Sequence, residues 1–203
     1  IKLDDSDEIN SLRKLIETFI NKFKSMGYKV QKLDEFVRDA KVKGNNREYF
    51  LLSLIKRVYD EYENCLKEDN YIDFNDMILN SIDIIKKNLY NKKYEYIIVD
   101  EYQDISLSRL NLLNVLKKMC NAKIVAVGDD WQSIYGYSSA DVNLIVDYNK
   151  SFDHPKKINI NTTYRNSQEL VDIASKFIQK NEKGQLKKKI KSEYKSSYIN
   201  PPK

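Results

Sequence analysis

Apolar residues recur at helical spacing through the first seventy positions. Ile9, Leu12, Ile16, Phe19, Ile20 and Phe23 line one face of a helix that starts behind Asp4-Asp5-Ser6 and stops at Gly27. Leu33, Phe36, Val37 and Ala40 predict a short second helix, and Gly44-Asn45-Asn46 a turn. Phe50, Leu51, Leu54, Ile55, Val58, Tyr59, Tyr62, Cys65 and Leu66 then predict a long third one. Stripes of this kind face a core and carry no chemistry of their own. Asp73 caps a fourth helix, with Phe74, Met77, Ile78, Ile82, Ile85 and Leu89 expected on its buried side. Asp73 and Asp76 suit the positive end of that helix.

Past this point the pattern shortens. Ile97-Ile98-Val99 is a continuous apolar run and predicts a strand over 95–99, buried on both faces. A helix over 106–119 and a second apolar strand over 123–127 complete a βαβ unit, whose strands are parallel. Further helices are expected over 141–148 and from Ser167 through Ile178, with a short strand at 157–160 between them. Both strands of the βαβ unit run into acids: Asp100-Glu101-Tyr102-Gln103-Asp104 after the first, Gly128-Asp129-Asp130-Trp131-Gln132 after the second. Parallel strands bring both acidic ends to one rim, where open α/β sheets take ligands. Asp100 and Glu101 are neighbours and point apart, so one carboxylate can serve a metal and the other a water. The plain alternative is an acidic turn after a core strand.

Composition narrows the classes. The 203 residues suffice for one domain or two small ones, and 41% hydrophobic content supports a core. Only 5 Gly and 3 Pro point to a helix-rich protein with few long loops. No apolar run reaches the length of a membrane span, so no membrane partner is expected. The polar start gives no signal peptide, and a cytoplasmic location is expected. Cys65 and Cys120 sit among apolar helical neighbours and read as reduced core residues; His154, before Pro155, reads as a surface residue. The net charge of +5 is concentrated in residues 183–203, where seven Lys stand against Glu193. That tail either touches phosphates or forms a solvated Lys-rich helix and coil.

The acidic boxes also carry a resemblance. Asp100-Glu101-Tyr102-Gln103-Asp104 resembles the Walker B box of the UvrD/Rep-type superfamily 1 DNA helicases, and Gly128-Asp129-Asp130-Trp131-Gln132-Ser133-Ile134-Tyr135 their third motif. Thr163-Tyr164-Arg165 resembles the fourth motif, usually Asn-Tyr-Arg, and Asp73-Phe74-Asn75-Asp76 the acidic-aromatic segment before Walker B. Asp130-Trp131, Thr162-Thr163 and the stretch from Asn181 to Lys188 are most similar to the helicase IV type. The resemblance covers roughly residues 73–189.

It implies an α/β fold: a partial RecA-like P-loop NTPase domain with a parallel sheet over 71–181, preceded by an all-helical insertion module over 1–70 and followed by a Lys-rich tail over 182–203. It implies ATP and Mg2+ as cofactors, single-stranded DNA as partner, and repair, recombination or transcription proteins as companions. Asp100 would hold the metal, Glu101 act as base on the attacking water, and Gln132 sense the γ-phosphate. Gln103 would link nucleotide site and DNA path, Arg165 would supply a cation to the γ-phosphate, and Tyr164 would stack on adenine. Tyr135 and Tyr137 would stack on DNA bases, a contact tolerant of sequence. From the residues alone, core packing stays open as an alternative for Tyr164 and for the Tyr135-Tyr137 pair, and a surface ion pair for Arg165.

Two departures stand out: Ser138 occupies a position often held by Arg, and Thr163 replaces the usual Asn. No Gly-x-x-x-x-Gly-Lys-Ser/Thr loop occurs in the chain. The resemblance implies that this loop and the arginine motifs of a second motor domain lie before Ile1 and after Lys203, so the chain is expected to be an inactive piece of a longer helicase. Three alternatives stay open: a polymerase-recycling motor of the same architecture, a silent nucleic-acid-binding module, and a metal-dependent nuclease using Asp100, Asp129 and Asp130.

Overall fold

A computed structural model describes residues 7–133, 143–152, 154–180 and 186–194. The order is α1 (Asp7–Ser25), α2 (Val30–Val42), α3 (Asn46–Glu68), α4 (Phe74–Lys86), β1 (Tyr96–Val99), α5 (Leu107–Cys120), β2 (Lys123–Ala126), α6 (Asn143–Val146), α7 (Tyr148–Ser151), β3 (Thr162–Thr163), α8 (Gln168–Ile178) and β4 (Lys191–Ser192). No helix among the described residues is long and apolar enough to cross a membrane.

The first three helices close their own core. Ile16, Ile20 and Phe23 of α1 meet Leu33 and Ala40 of α2 and Leu52, Ile55 and Tyr59 of α3. Phe23 is the aromatic centre, its ring 5.1 Å from Tyr28, 6.0 Å from Phe36 and 6.3 Å from Tyr59. Gly27, at φ +90°, turns the chain out of α1, and the Tyr28 N–H bonds back to the Phe23 carbonyl at 3.3 Å. The α3 stripe lies one residue round from its expected position. Leu52, Ile55 and Tyr59 are buried, while Phe50, Leu51, Leu54 and Val58 are exposed. Cys65 follows that outer stripe and is exposed, so it is no core residue; both cysteines are free thiols.

Inside this helical region lies a charge. Lys24 is 1% exposed and its ammonium meets Glu63 of α3 and both Asp73 and Asp76 at the start of α4, each at 2.7 Å. The same nitrogen stands 5.7 Å from the Tyr59 ring centre and 5.4 Å from that of Tyr62. Burial works against the charged form, but the hydrogen bonds Lys24 donates to Asp73, Asp76 and Glu63 together outweigh it and raise its pKa well above the ordinary value. Asp73 caps α4 as expected, in a reciprocal capping box with Asp76. The two acids thus cap one helix and tie it to another. The buried side of α4 is Leu79, Ile82 and Ile85; Phe74, Met77 and Leu89, expected inside, are exposed.

The βαβ unit forms as its pattern predicts. β1 and β2 are parallel, with Ile97 opposite Ile124 and Ile98 opposite Val125. Ser106 caps α5, accepting the Arg109 N–H. The sheet is covered on one side only: Val99, Leu113, Leu144 and Ile145 pack around Tyr102, Ile105 and Leu110, while Ile98 is 74% and Val125 45% exposed. Burial on both faces is therefore not realised, because only one face has helices against it among the described residues. The expected strand at 157–160 is also corrected. Ile158 and Ile160 are exposed and carry no ladder; pairing begins at Thr162–Thr163, parallel to Lys191–Ser192. The described part of the Lys-rich end holds no helix, and Lys191–Ser192 within it pair as a strand.

Candidate nucleotide and nucleic-acid site

The acids of both strands do reach one rim. Beyond β1 the ladder continues, the Val127 N–H bonding to Val99 O and the Tyr102 N–H to Val127 O, each at 2.8 Å. Between these two bonds the chain reverses at Glu101, whose φ of 50° is left-handed. Tyr102–Asp104 then form one 3-10 turn that buries Tyr102 and Gln103.

Gln103 joins the two strand ends. Its Nε2 donates to Glu101 Oε2 at 2.6 Å, and its Oε1 accepts the Asp129 N–H at 3.0 Å. Gly128 makes this approach feasible, since a Cβ there would stand 2.8 Å from Gln103 Oε1 and 3.1 Å from Gln103 N. On the far side, Asp129 Oδ2 accepts Gln132 Nε2 at 2.9 Å. Glu101, Gln103, Asp129 and Gln132 therefore form one hydrogen-bonded row. Asp100 stands beside it, exposed, one oxygen accepting the Glu101 N–H at 2.9 Å. No lysine or arginine pairs with Asp100 or Glu101 among the described residues.

Asp129 and Asp130 are occupied differently. Both pair with the Lys188 ammonium. Asp130 is 1% exposed, and its Oδ2 also accepts the Leu186 N–H at 2.6 Å. Burial pushes the Asp129 carboxyl up, but Lys188 and Gln132 hold it below its usual value. With their charge already compensated, these two acids are poor partners for a metal, which counts against the nuclease alternative. Trp131 donates its indole N–H to Leu186 O at 3.0 Å, and Lys188 lies 5.2 Å from its ring centre.

Tyr164 and Arg165 follow β3. Tyr164 is 67% exposed, so it is no core tyrosine. Arg165 is exposed, and its guanidinium pairs with no carboxylate among the described residues. Tyr135 and Tyr137 lie outside the described residues. Nothing in the sequence singles out Lys188. Lys187, Lys188 and Lys189 are the same letter three times, and only the fold selects the middle one.

Residues 2–153 match the family model described as the UvrD/REP helicase N-terminal domain. The chain belongs to the UvrD/Rep helicase family. It is 36% identical over 142 residues to DNA helicase IV of Escherichia coli strain K12, covering 70% of this chain and 21% of that protein. It is 33% identical over 186 residues to a probable DNA helicase II homolog of Rickettsia conorii, covering 89% of this chain and 27% of the relative. With the ATP-dependent DNA helicase PcrA of Leuconostoc citreum it shares 31% over 132 residues, which is 63% of this chain and 18% of that one. The chain thus spans about a fifth to a quarter of the length of the first two of these relatives. In this UvrD/Rep chain the acidic boxes are the strand ends described above, now with their mutual geometry.

Proposed function

We propose that this chain is part of an ATP-dependent DNA helicase that couples ATP hydrolysis to 3′-to-5′ movement along single-stranded DNA. Residues 71–181 are read as part of a RecA-like motor and residues 1–70 as its helical insertion. The observation that carries the reading is Gln103, which bonds to Glu101 at one strand end and to Asp129 at the other.

The residues present suit magnesium and ATP. Magnesium takes one or two carboxylates and fills its remaining positions with water and phosphate oxygens. Asp100, exposed and without a protein cation among the described residues, matches that demand. Bound MgATP supplies the transferable γ-phosphoryl group and the divalent charge that offsets its oxygens. Glu101 has one oxygen committed to Gln103, which orients the carboxylate and leaves the other to accept a proton from water. Gln132 presents an uncharged amide held by Asp129. Arg165, without an acidic partner among the described residues, offers the planar fork that phosphate favours, and exposed Tyr164 offers a face for a base. Tyr135 and Tyr137 are assigned to single-stranded DNA by their place in the motif alone.

The test is Glu101→Gln in the complete gene product. Loss of a general base lowers DNA-stimulated ATP turnover by about 10²- to 10⁴-fold with ATP affinity retained; retained turnover removes Glu101 as base. The 203-residue chain on its own is expected to hydrolyse ATP negligibly. Measurable DNA-stimulated turnover by it would contradict that.

A further inference from the structure

Between Leu186 and Tyr194 the chain makes contacts at both ends. At the first, Leu186 exchanges hydrogen bonds with Asp130 and Trp131, and Lys188 pairs with Asp129 and Asp130. At the second, Lys191–Ser192 pair with Thr162–Thr163. Ser192 Oγ donates to Asn166 O at 2.5 Å, and the Ser192 N–H to Gln168 Oε1 at 2.7 Å. One end therefore holds the corner that carries Gln132; the other brackets Tyr164 and Arg165. From Lys188 to Lys191 the backbone reaches at most about 10 Å. It is a short tie between the two side chains read here as facing the γ-phosphate.

We propose that Lys188 is a positioning residue that fixes Gln132 relative to Arg165. The proposal rests on the phosphate-facing reading of those two residues. The reason lies in charge. Asp129 and Asp130 are consecutive, and Asp130 is buried. Without an ammonium between them, a buried carboxylate would lack its counter-ion beside a second one. The corner would then open, and Asp129 would lose its set towards Gln132. Lys187 and Lys189 make no ion pair among the described residues and cannot replace it.

The contact has its own reporter, because Trp131 is the only tryptophan. Lys188→Met keeps the chain length and removes the charge; Lys188→Arg keeps the charge. In the 203-residue chain without nucleotide, Lys188→Met is expected to shift Trp131 emission to the red and raise its quenching by acrylamide. Lys188→Arg stays near wild type, and Lys189→Met, the matched control, does nothing. In the complete gene product, Lys188→Met is expected to lower kcat for ATP about tenfold or more while KM stays within about twofold, because a small misplacement costs rate rather than binding. Should Lys188→Met fail to fold, Gln168→Ala frees the other end of the tie and is expected to lower kcat with Trp131 emission unchanged. Unchanged Trp131 fluorescence in folded Lys188→Met overturns the proposal. So does wild-type kcat in Lys188→Met while Glu101→Gln is inactive. If Glu101→Gln itself turns over normally, the functional reading has failed, and this inference fails with it.

Discussion

The helical region of residues 7–69 and the strand region of residues 96–133 treat their apolar residues in opposite ways. In the first, Leu33, Ile55 and Tyr59 are fully enclosed by α1, α2 and α3, and even the lysine inside is matched by three carboxylates. In the second, the residues that look most like core by letter, Ile98 and Val125, stand open on one side of a two-stranded sheet. An apolar pattern reports what a segment demands of its surroundings. Whether the demand is met depends on what packs there, which α1–α3 supply to one another and, among the described residues, α5 and α6 supply to only one face of β1 and β2.

Substitutions put that contrast to the test. The largest effect is expected from Lys24→Met, which leaves Glu63, Asp73 and Asp76 crowded without a counter-charge and costs about 3–5 kcal/mol, read by denaturant unfolding. The same variant alters the response to pH. Burial works against ionised Asp73, but hydrogen bonds from Lys24, the Asp76 N–H and Tyr62, with the charge of Lys24, together outweigh it and hold its pKa below the ordinary value. A carboxyl lowered in this way adds stability above its unfolded pKa, about 4, and that stability disappears as pH falls through the folded value. Wild type should therefore lose melting temperature on acidification below about pH 4, and Lys24→Met should lose less. At the alkaline end Tyr62, pushed up to about 12 by burial and its bond to Asp73, adds stability that is lost as pH rises from about 10 towards that value.

Next is Ile55→Ala, which opens a cavity in a closed core and costs about 2–5 kcal/mol. Gly128→Ala forces a methyl onto Gln103 and costs about 1–3 kcal/mol through overpacking, a loss that Gln103→Ala should partly relieve in a double-mutant cycle. The smallest change is expected at Ile98→Ala, below about 0.5 kcal/mol in the 203-residue chain. An Ile98→Ala cost equal to that of Ile55→Ala would show the contrast to be wrong.

Much of this fold is written in the sequence, for physical reasons. Continuous apolar runs locate β1 and β2, a 3.6-residue period locates the long α3, and the helical crossover between the two strands makes them parallel. That in turn put Glu101 and Gln132 on one rim. What remained hidden was selection among equivalents. α3 carries two apolar stripes side by side, and periodicity could not say that Leu52, Ile55 and Tyr59 would go inside while Leu51, Leu54 and Val58 would not. Lys24 follows Phe23 on the buried arc of α1, next to apolar neighbours, and only the fold delivers Asp73 and Asp76 to it. Lys188 is likewise one of three consecutive lysines, chosen by an aspartate pair some sixty positions earlier.

Glu101 sits where an L-residue is reluctant to go. Asparagine accepts left-handed dihedrals far more readily than glutamate does. Glu101→Asn should therefore melt slightly higher than wild type while losing the carboxylate proposed above as the base. A search for heat-resistant variants that ignores activity would drift towards that replacement, giving up the proposed base for an easier backbone.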